Sequence, residues 1–170
     1  MDYFLDKNVL FDFVRLVYFG EEFKWYSSSA IVVLIARDGG FVPHISDATP
    51  FSVANYTLYK MERSGIPDAE NKVRKMLKFL FFGKWQLTSL SKEEFVESLD
   101  EKRFHYEDAY QFFCAKKFCN NIVTRNLKDF EIVKKEIKVF APVEFLSSKF
   151  SNEKPKYFEK LQDMIVSNGR

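Results

Sequence analysis

Asp6 closes a short apolar run that starts at Tyr3, and a carboxylate pair, Glu107 and Asp108, opens a helical segment far along the chain. A polar cluster of Thr124, Arg125, Asn126 and Asp129 follows another apolar run, Asn121 to Val123. Carboxylates gathered around one cleft repel one another unless a cation neutralises them. With neither histidine nor cysteine in the set, the natural occupant is a hard cation, Mg2+ or Mn2+. Such an ion polarises a phosphodiester oxygen and activates a water, so no serine, cysteine or lysine nucleophile is needed. On this basis Asp6 is the central ligand and Asp108 the second. Asp129 binds the metal through water, and Asn126 offers an amide oxygen or a hydrogen bond. Thr124 and Asn8 orient the carboxylates or the phosphate, and Glu107 is a solvated, supporting neighbour. Lys7 and Arg125 contact the substrate backbone.

Taken singly, each of these residues has a plainer explanation. Asp6 can end a strand and cap the helix after it. Asp108 lies in a first helical turn, where a carboxylate gains about 0.3–1 kcal/mol from the helix dipole. Asn126 and Asp129 are ordinary turn residues. The site reading rests on the set, placed at matching ends of different elements.

Those elements follow from periodicity and punctuation. Tyr3 to Asp6, Phe41 to Ser46, Trp85 to Ser89, Asn121 to Val123 and Val139–Phe140 read as short strands. Helical apolar spacing runs from Val9 to Phe19 and stops at Gly20. Ser27, Ser28 and Ser29 suit the cap of a second helix through Ala36. A third helix starts near Pro50 and ends near Arg63. Asp68 suits the cap of a fourth helix, to about Phe82. Ser91 to Glu94 is a capping-box start for a helix to about Leu99, and another helix spans Tyr106 to Lys117. Pro142 opens a short helix through Leu146. Ser147 to Lys156 reads as a polar linker, and Tyr157 to Val166 as a peripheral C-terminal helix. Short strands alternating with longer helices predict an α/β fold: a three-layer α/β/α sandwich around a mostly parallel sheet of roughly five strands. Ligands in such folds bind outside the carboxyl ends of the strands, where Asp6, Ser46 and Thr124 to Asn126 all fall.

The chain has 170 residues, 46% of them hydrophobic, enough for one domain with a substantial core. Twenty phenylalanines predict a core built largely of rings, with one of Phe79, Phe81 and Phe82 reaching the surface. The net charge of +2 permits nucleic-acid binding without arguing for it. The basic run Lys72, Arg74, Lys75 and Lys78 reads as a solvated helix face before an RNA track. Two cysteines, Cys114 and Cys119, are too few for a disulfide framework, and with His44 and His105 they form no zinc spacing. The longest apolar run, Ala30 to Ala36, is too short to span a bilayer. No charged-then-apolar leader opens the chain, so a cytoplasmic location and no membrane are expected.

The segments LDKNVLFDF, HISDATPFSVANYTLYK, FHYEDAYQFF, IVTRNLKDF and VFAPVEFL, in that order, resemble the PIN-domain superfamily, metal-dependent ribonucleases common as toxins of prokaryotic toxin–antitoxin pairs. The closer likeness is to a bacterial branch with Asn-Tyr, here Asn55 and Tyr56, in place of the second acid, and TRN followed by DF. The resemblance covers the chain to about Leu146 and implies a PIN-like nuclease domain over 1–147, with 148–170 as linker and peripheral helix. It matches Asp6 and Asp108 to the first and third acids. Asn55 and Asn126 stand where the second and fourth are expected, with Asp129 compensating for the latter. It implies an Mg2+- or Mn2+-dependent endoribonuclease acting on RNA, a cognate antitoxin across the cleft, and a homodimer. The alternative is a degenerate member that binds RNA or a partner protein without cleaving; the two amides, which weaken attraction for a cation, are what separates these outcomes. A dehalogenase-like phosphatase fits less well, because Asn8 stands where its second aspartate belongs. A phosphoacceptor receiver domain fits less well because Lys7 follows Asp6.

Overall fold

The computed structural model describes residues 2–168. Among them, five parallel strands form one sheet: β1 (Tyr3–Leu5), β2 (Pro43–Ser46), β3 (Gln86–Thr88), β4 (Asn121–Val123) and β5 (Lys138–Phe140). Their spatial order is β3-β2-β1-β4-β5. The chain therefore steps outward from β1 through β2 to β3, then crosses back and steps outward the other way through β4 and β5. The switch point lies between β1 and β4, where Phe4 pairs with Ile122 and Leu5 with Val123.

The central strands β1, β2 and β4 are largely buried on both faces, as a covered parallel sheet requires, while the edge strands β3 and β5 are partly exposed. Their period of two divides the core. Tyr3, Leu5, Val123 and Phe140 point into one apolar cluster, while Phe4 and Ile122 point into the other. The larger cluster is covered by α1 (Lys7–Phe19), α2 (Phe23–Arg37), α3 (Thr49–Arg63), α4 (Ala69–Leu80) and, further along, α8 (Pro142–Lys149) and α9 (Lys154–Asn168). The smaller is covered by α6 (Tyr106–Phe118), with α5 (Lys92–Leu99) packed on it and α7 (Leu127–Phe130) beside it. The expected three-layer α/β/α sandwich is thus the fold. Rings do supply much of the core: Phe4, Phe13, Phe112, Phe130 and Phe145 are fully buried. Of the three clustered phenylalanines it is Phe82 that reaches solvent, at 82% exposure.

Local signals explain most boundaries. Asp6 caps α1, and Ser91 and Glu94 form a reciprocal capping box at α5. Gly20 ends α1 with φ 62°, its N–H and that of Glu21 closing onto the carbonyls of Leu16 and Arg15. Cys114 and Cys119 are buried free thiols, pushed up to about 12 by burial, so they pack as small apolar groups.

Tertiary packing overrides the local signals in several places. The three serines lie inside α2, which starts earlier at Phe23; Ser29 is buried and its hydroxyl bonds Asp12 on α1 instead of capping. Asp68 precedes α4 but sits at φ 57° and accepts from the Asn71 side chain, giving no cap bond. The segment read as a polar linker is mostly helical, because α8 continues to Lys149 and α9 begins at Lys154. Nor is α9 peripheral: Leu161 is fully buried and Tyr157 nearly so, both within the core shared with α1 and α2. Residues 148–168 therefore carry part of the main core. Among the described residues, no helix is long and apolar enough to cross a membrane.

An added methyl at Gly20 would meet no atom within 4 Å, so its only penalty is the left-handed backbone. Gly20→Ala should cost about 1–2 kcal/mol, measured by urea unfolding; an unchanged midpoint would contradict this cap geometry.

Candidate functional site

Parallel pairing at the switch point puts the last residue of β1 next to the last residue of β4. The Asp6 N–H donates to the Val123 carbonyl at 3.0 Å, so the residue that follows each strand is held beside its counterpart. The two side chains meet: the Thr124 hydroxyl donates to Asp6 Oδ2 at 2.6 Å. Asn126 N–H donates to Thr124 Oγ1 at 2.9 Å, which commits the hydroxyl proton to the carboxylate. The Asn8 amide adds a bond to Oδ2 at 3.0 Å, and the Asn8 backbone N–H a long 3.4 Å bond to Oδ1. Three donors around a fully buried group suit an ionised acid. Burial nonetheless outweighs them and holds the Asp6 carboxyl above the usual range. Oδ1, carrying only the long bond, is the oxygen with bonding capacity to spare.

Asp108 enters from the first turn of α6, on the other layer. It is half-buried and makes no side-chain hydrogen bond or ion pair among the described residues. Burial raises its carboxyl first, and the negative charges of Asp6 and Asp129 raise it further, against Lys7 and His105. Asp129 comes from α7 and lines a shared depression with Asp108, His105 and Lys128. Its Oδ2 accepts from the Asn126 amide, so Asn126 bridges the Thr124 hydroxyl and the Asp129 carboxylate. Asp6, Asn8, Asp108, Thr124, Asn126 and Asp129 thus gather at the carboxyl ends of β1 and β4.

Other expected members lie elsewhere. Lys7 Nζ pairs with Glu107, which is therefore an ion-pair partner rather than a merely solvated neighbour. This pair fills the flank of the α6 N-terminus away from Asp129 and lines the cavity toward α3. Arg125 turns to the opposite layer, where its Nε donates to Asp12 Oδ2 at 2.9 Å and its guanidinium lies over Tyr26. It is thus engaged away from the Asp6 cluster. Burial there outweighs Ser29, Arg125 and Arg15 and pushes the Asp12 carboxyl up to about 6. Asn55 is exposed on α3 and makes no hydrogen bond to the cluster among the described residues; the α3 residues lining the neighbouring cavity are Thr49 and Ser52.

Two residues that sequence reasoning passed over also face this region. Gln111 accepts the Lys7 backbone N–H on Oε1 at 3.0 Å, and Tyr110 donates its hydroxyl to Asp47 at 2.7 Å. Gln111 follows Asp108 by three positions and Glu107 by four, the helical spacing that puts them on one face. That spacing was a readable signal.

A hard divalent cation suits the donor chemistry of Asp6 and Asp108, two carboxyls held above their ordinary range with no salt bridge to a described cation. Among the described residues, no group of three or more His, Cys, Asp and Glu side chains is placed to hold an ion by itself. Mg2+ is commonly held by one or two carboxylates, with water and substrate phosphate completing the shell, and that is the form these residues permit. No family model matches this chain, and no curated protein matches it significantly.

The raised Asp108 carboxyl has a measurable consequence. The folded state holds that proton more tightly than the unfolded chain. Its contribution to stability is therefore complete below the ordinary carboxylate range and lost as pH rises through the raised folded value. In chelator-treated protein, wild type should lose on the order of 0.5–1 kcal/mol relative to Asp108→Asn between pH 4 and pH 7, a small figure because partial exposure screens the charge. Parallel pH profiles in urea unfolding would show that Asp108 feels no such repulsion.

Proposed function

We propose that this chain is a metal-dependent endoribonuclease of the PIN-like type, with Asp6 and Asp108 as the residues that would hold the cation. The observation that carries the proposal is the convergence of Asp6 and Asp108 at the β1/β4 switch point. One acid ends the central strand β1 and the other comes from α6 on the outer layer; the charge of Asp6 raises the Asp108 carboxyl, and neither acid has a salt bridge to any described cation. A bound Mg2+ or Mn2+ would supply a polarised phosphoryl oxygen and an activated water.

The chain's own groups do the positioning. Thr124 and Asn8 hold the Asp6 carboxylate in one orientation, so it need not reorganise when charge arrives. Asn126 fixes Asp129 beside Asp108, where it can accept a hydrogen bond from a water in the outer shell. Lys7, held by Glu107, keeps a cation beside the cleft that can attract a phosphate backbone. The resemblance in motif order extends the proposal to a toxin held by an antitoxin, and to a homodimer.

A second reading, an RNA- or protein-binding domain that does not cleave, has its own support. Asn55 lies outside the cluster, and the Asn126 amide is committed to Asp129.

An assay on single-stranded and hairpin RNA with Mg2+ or Mn2+ separates the two. Wild type should cleave, chelator should stop it, and Asp6→Asn and Asp108→Asn should each lose more than about a hundredfold, beyond the 10–100-fold typical of residues that only support a metal ligand. Equal cleavage by wild type and both variants rules out the nuclease; binding of RNA with no cleavage by any of them selects the second reading.

A further inference from the structure

The N-terminal turn of α6 has two flanks. Asp108 faces the depression shared with Asp129, and Glu107 faces a separate, half-open cavity of about 380 Å3 between α3, α5 and α6. The size falls at the low end of small-molecule sites, which span about 300–1,000 Å3. Lys7 lines this cavity and directly follows Asp6 in the chain, so the cavity lies beside the acid cluster.

Its lining is mostly apolar but contains a polar group without a partner. Gln111 is 2% exposed, and its Nε2 has no hydrogen-bond partner among the described residues. The orientation of that amide is set by chemistry: the Lys7 N–H needs an acceptor, so the oxygen faces it and the NH2 faces away. A buried donor left unsatisfied is costly, and a ligand that satisfies it must present an acceptor. Ser46 and Thr49, also buried in the lining, share one hydrogen bond of 2.8 Å, which leaves one hydroxyl proton uncommitted. One wall is aromatic. The Tyr110 ring is fixed by its bond to Asp47 and by an edge-on contact with Phe95, whose ring centre lies 5.9 Å away.

We propose that this cavity is a subsite for one unstacked nucleobase of the RNA whose backbone lies at Asp6 and Asp108. A flat apolar group with carbonyl or ring-nitrogen acceptors on its edge matches both halves of the lining: rings for its faces and, for its edge, the uncommitted hydroxyl together with the Gln111 amide, whose covered nitrogen a bound base would have to reach. Single-stranded RNA is recognised in this way, by splayed bases stacked on aromatic side chains and hydrogen-bonded on their edges. The inference rests on the ribonuclease proposal for the identity of the polymer, but not on cleavage.

The test is titration of AMP, GMP, CMP, UMP and ribose 5-phosphate into 15N-labelled full-length protein with chelator present, followed by amide shifts. At least one nucleotide should give saturable shifts at Ser46, Thr49, Ser52, Tyr110 and Gln111, and ribose 5-phosphate should not. Ser52→Phe, which fills the cavity from α3, should weaken nucleotide binding at least about tenfold, the size of one lost stacking contact, while the rest of its spectrum stays native. Nucleotide shifts in a protein that leaves RNA uncut would support the subsite while defeating the nuclease. The inference is overturned by no nucleotide shifts, by equal shifts with ribose 5-phosphate, by shifts mapping away from the cavity, or by Ser52→Phe binding like wild type. Occupation by an apolar peptide in place of nucleotides would overturn it as well.

Discussion

The hydrogen bond between Thr124 and Asp6 joins the two halves of the sheet at the point where strand order reverses. Everything proposed for the site depends on it. Parallel pairing of β1 with β4 brings the residues after each strand side by side, and the bond locks their side chains. A buried carboxylate at that place is expensive unless donors surround it. The donors come from both sides of the switch: Asn8 from α1 and Thr124 from the end of β4. Asn126, one turn further, carries the order to Asp129. The acid cluster is therefore the visible end of a network that begins in the sheet.

The same geometry explains why the cluster is left under tension. Asp108 arrives from the layer opposite α1, and no described cation pairs with it. The lysine whose charge acts on it, Lys7, is drawn to Glu107 on the far flank of the same helical turn. That division gives the α6 N-terminus two faces. One carries unpaired negative charge, and the other a cation, an aromatic wall and an orphaned amide. A polymer with an anionic backbone and flat bases has use for both, which is why cleavage and base recognition are proposed at adjacent places.

Much of this was legible in the sequence, for identifiable reasons. Short strands and apolar period put Asp6 and Thr124 at strand ends, and parallel α/β topology then requires such ends to share one edge of the sheet. Asp108 was legible as a first-turn acid. What escaped were facts set by buried tertiary partners. Arg125 looked like a substrate contact, but α2 presents Ser29 to Asp12 and the guanidinium follows that buried acid. Ser27 to Ser29 looked like caps because serine caps helices well, yet burial against α1 gives Ser29 a better partner. Residues 147–156 read as polar linker because their charged side chains conceal two helix ends. Tyr157 and Leu161 enter the core from the helix that follows. Gln111 showed only a helical spacing; its significance depends on the Lys7 backbone meeting its oxygen, which no spacing reveals.

The central claim is that Asp6 and Asp108 together hold a divalent cation, with the RNA phosphate completing its shell. Its most direct test is electron paramagnetic resonance of Mn2+ titrated into wild type and Asp108→Asn, with and without a short RNA. The account predicts that wild type binds Mn2+, that RNA tightens this binding, and that Asp108→Asn loses both the binding and the tightening. Equal Mn2+ binding by the two proteins, unchanged by RNA, would contradict it.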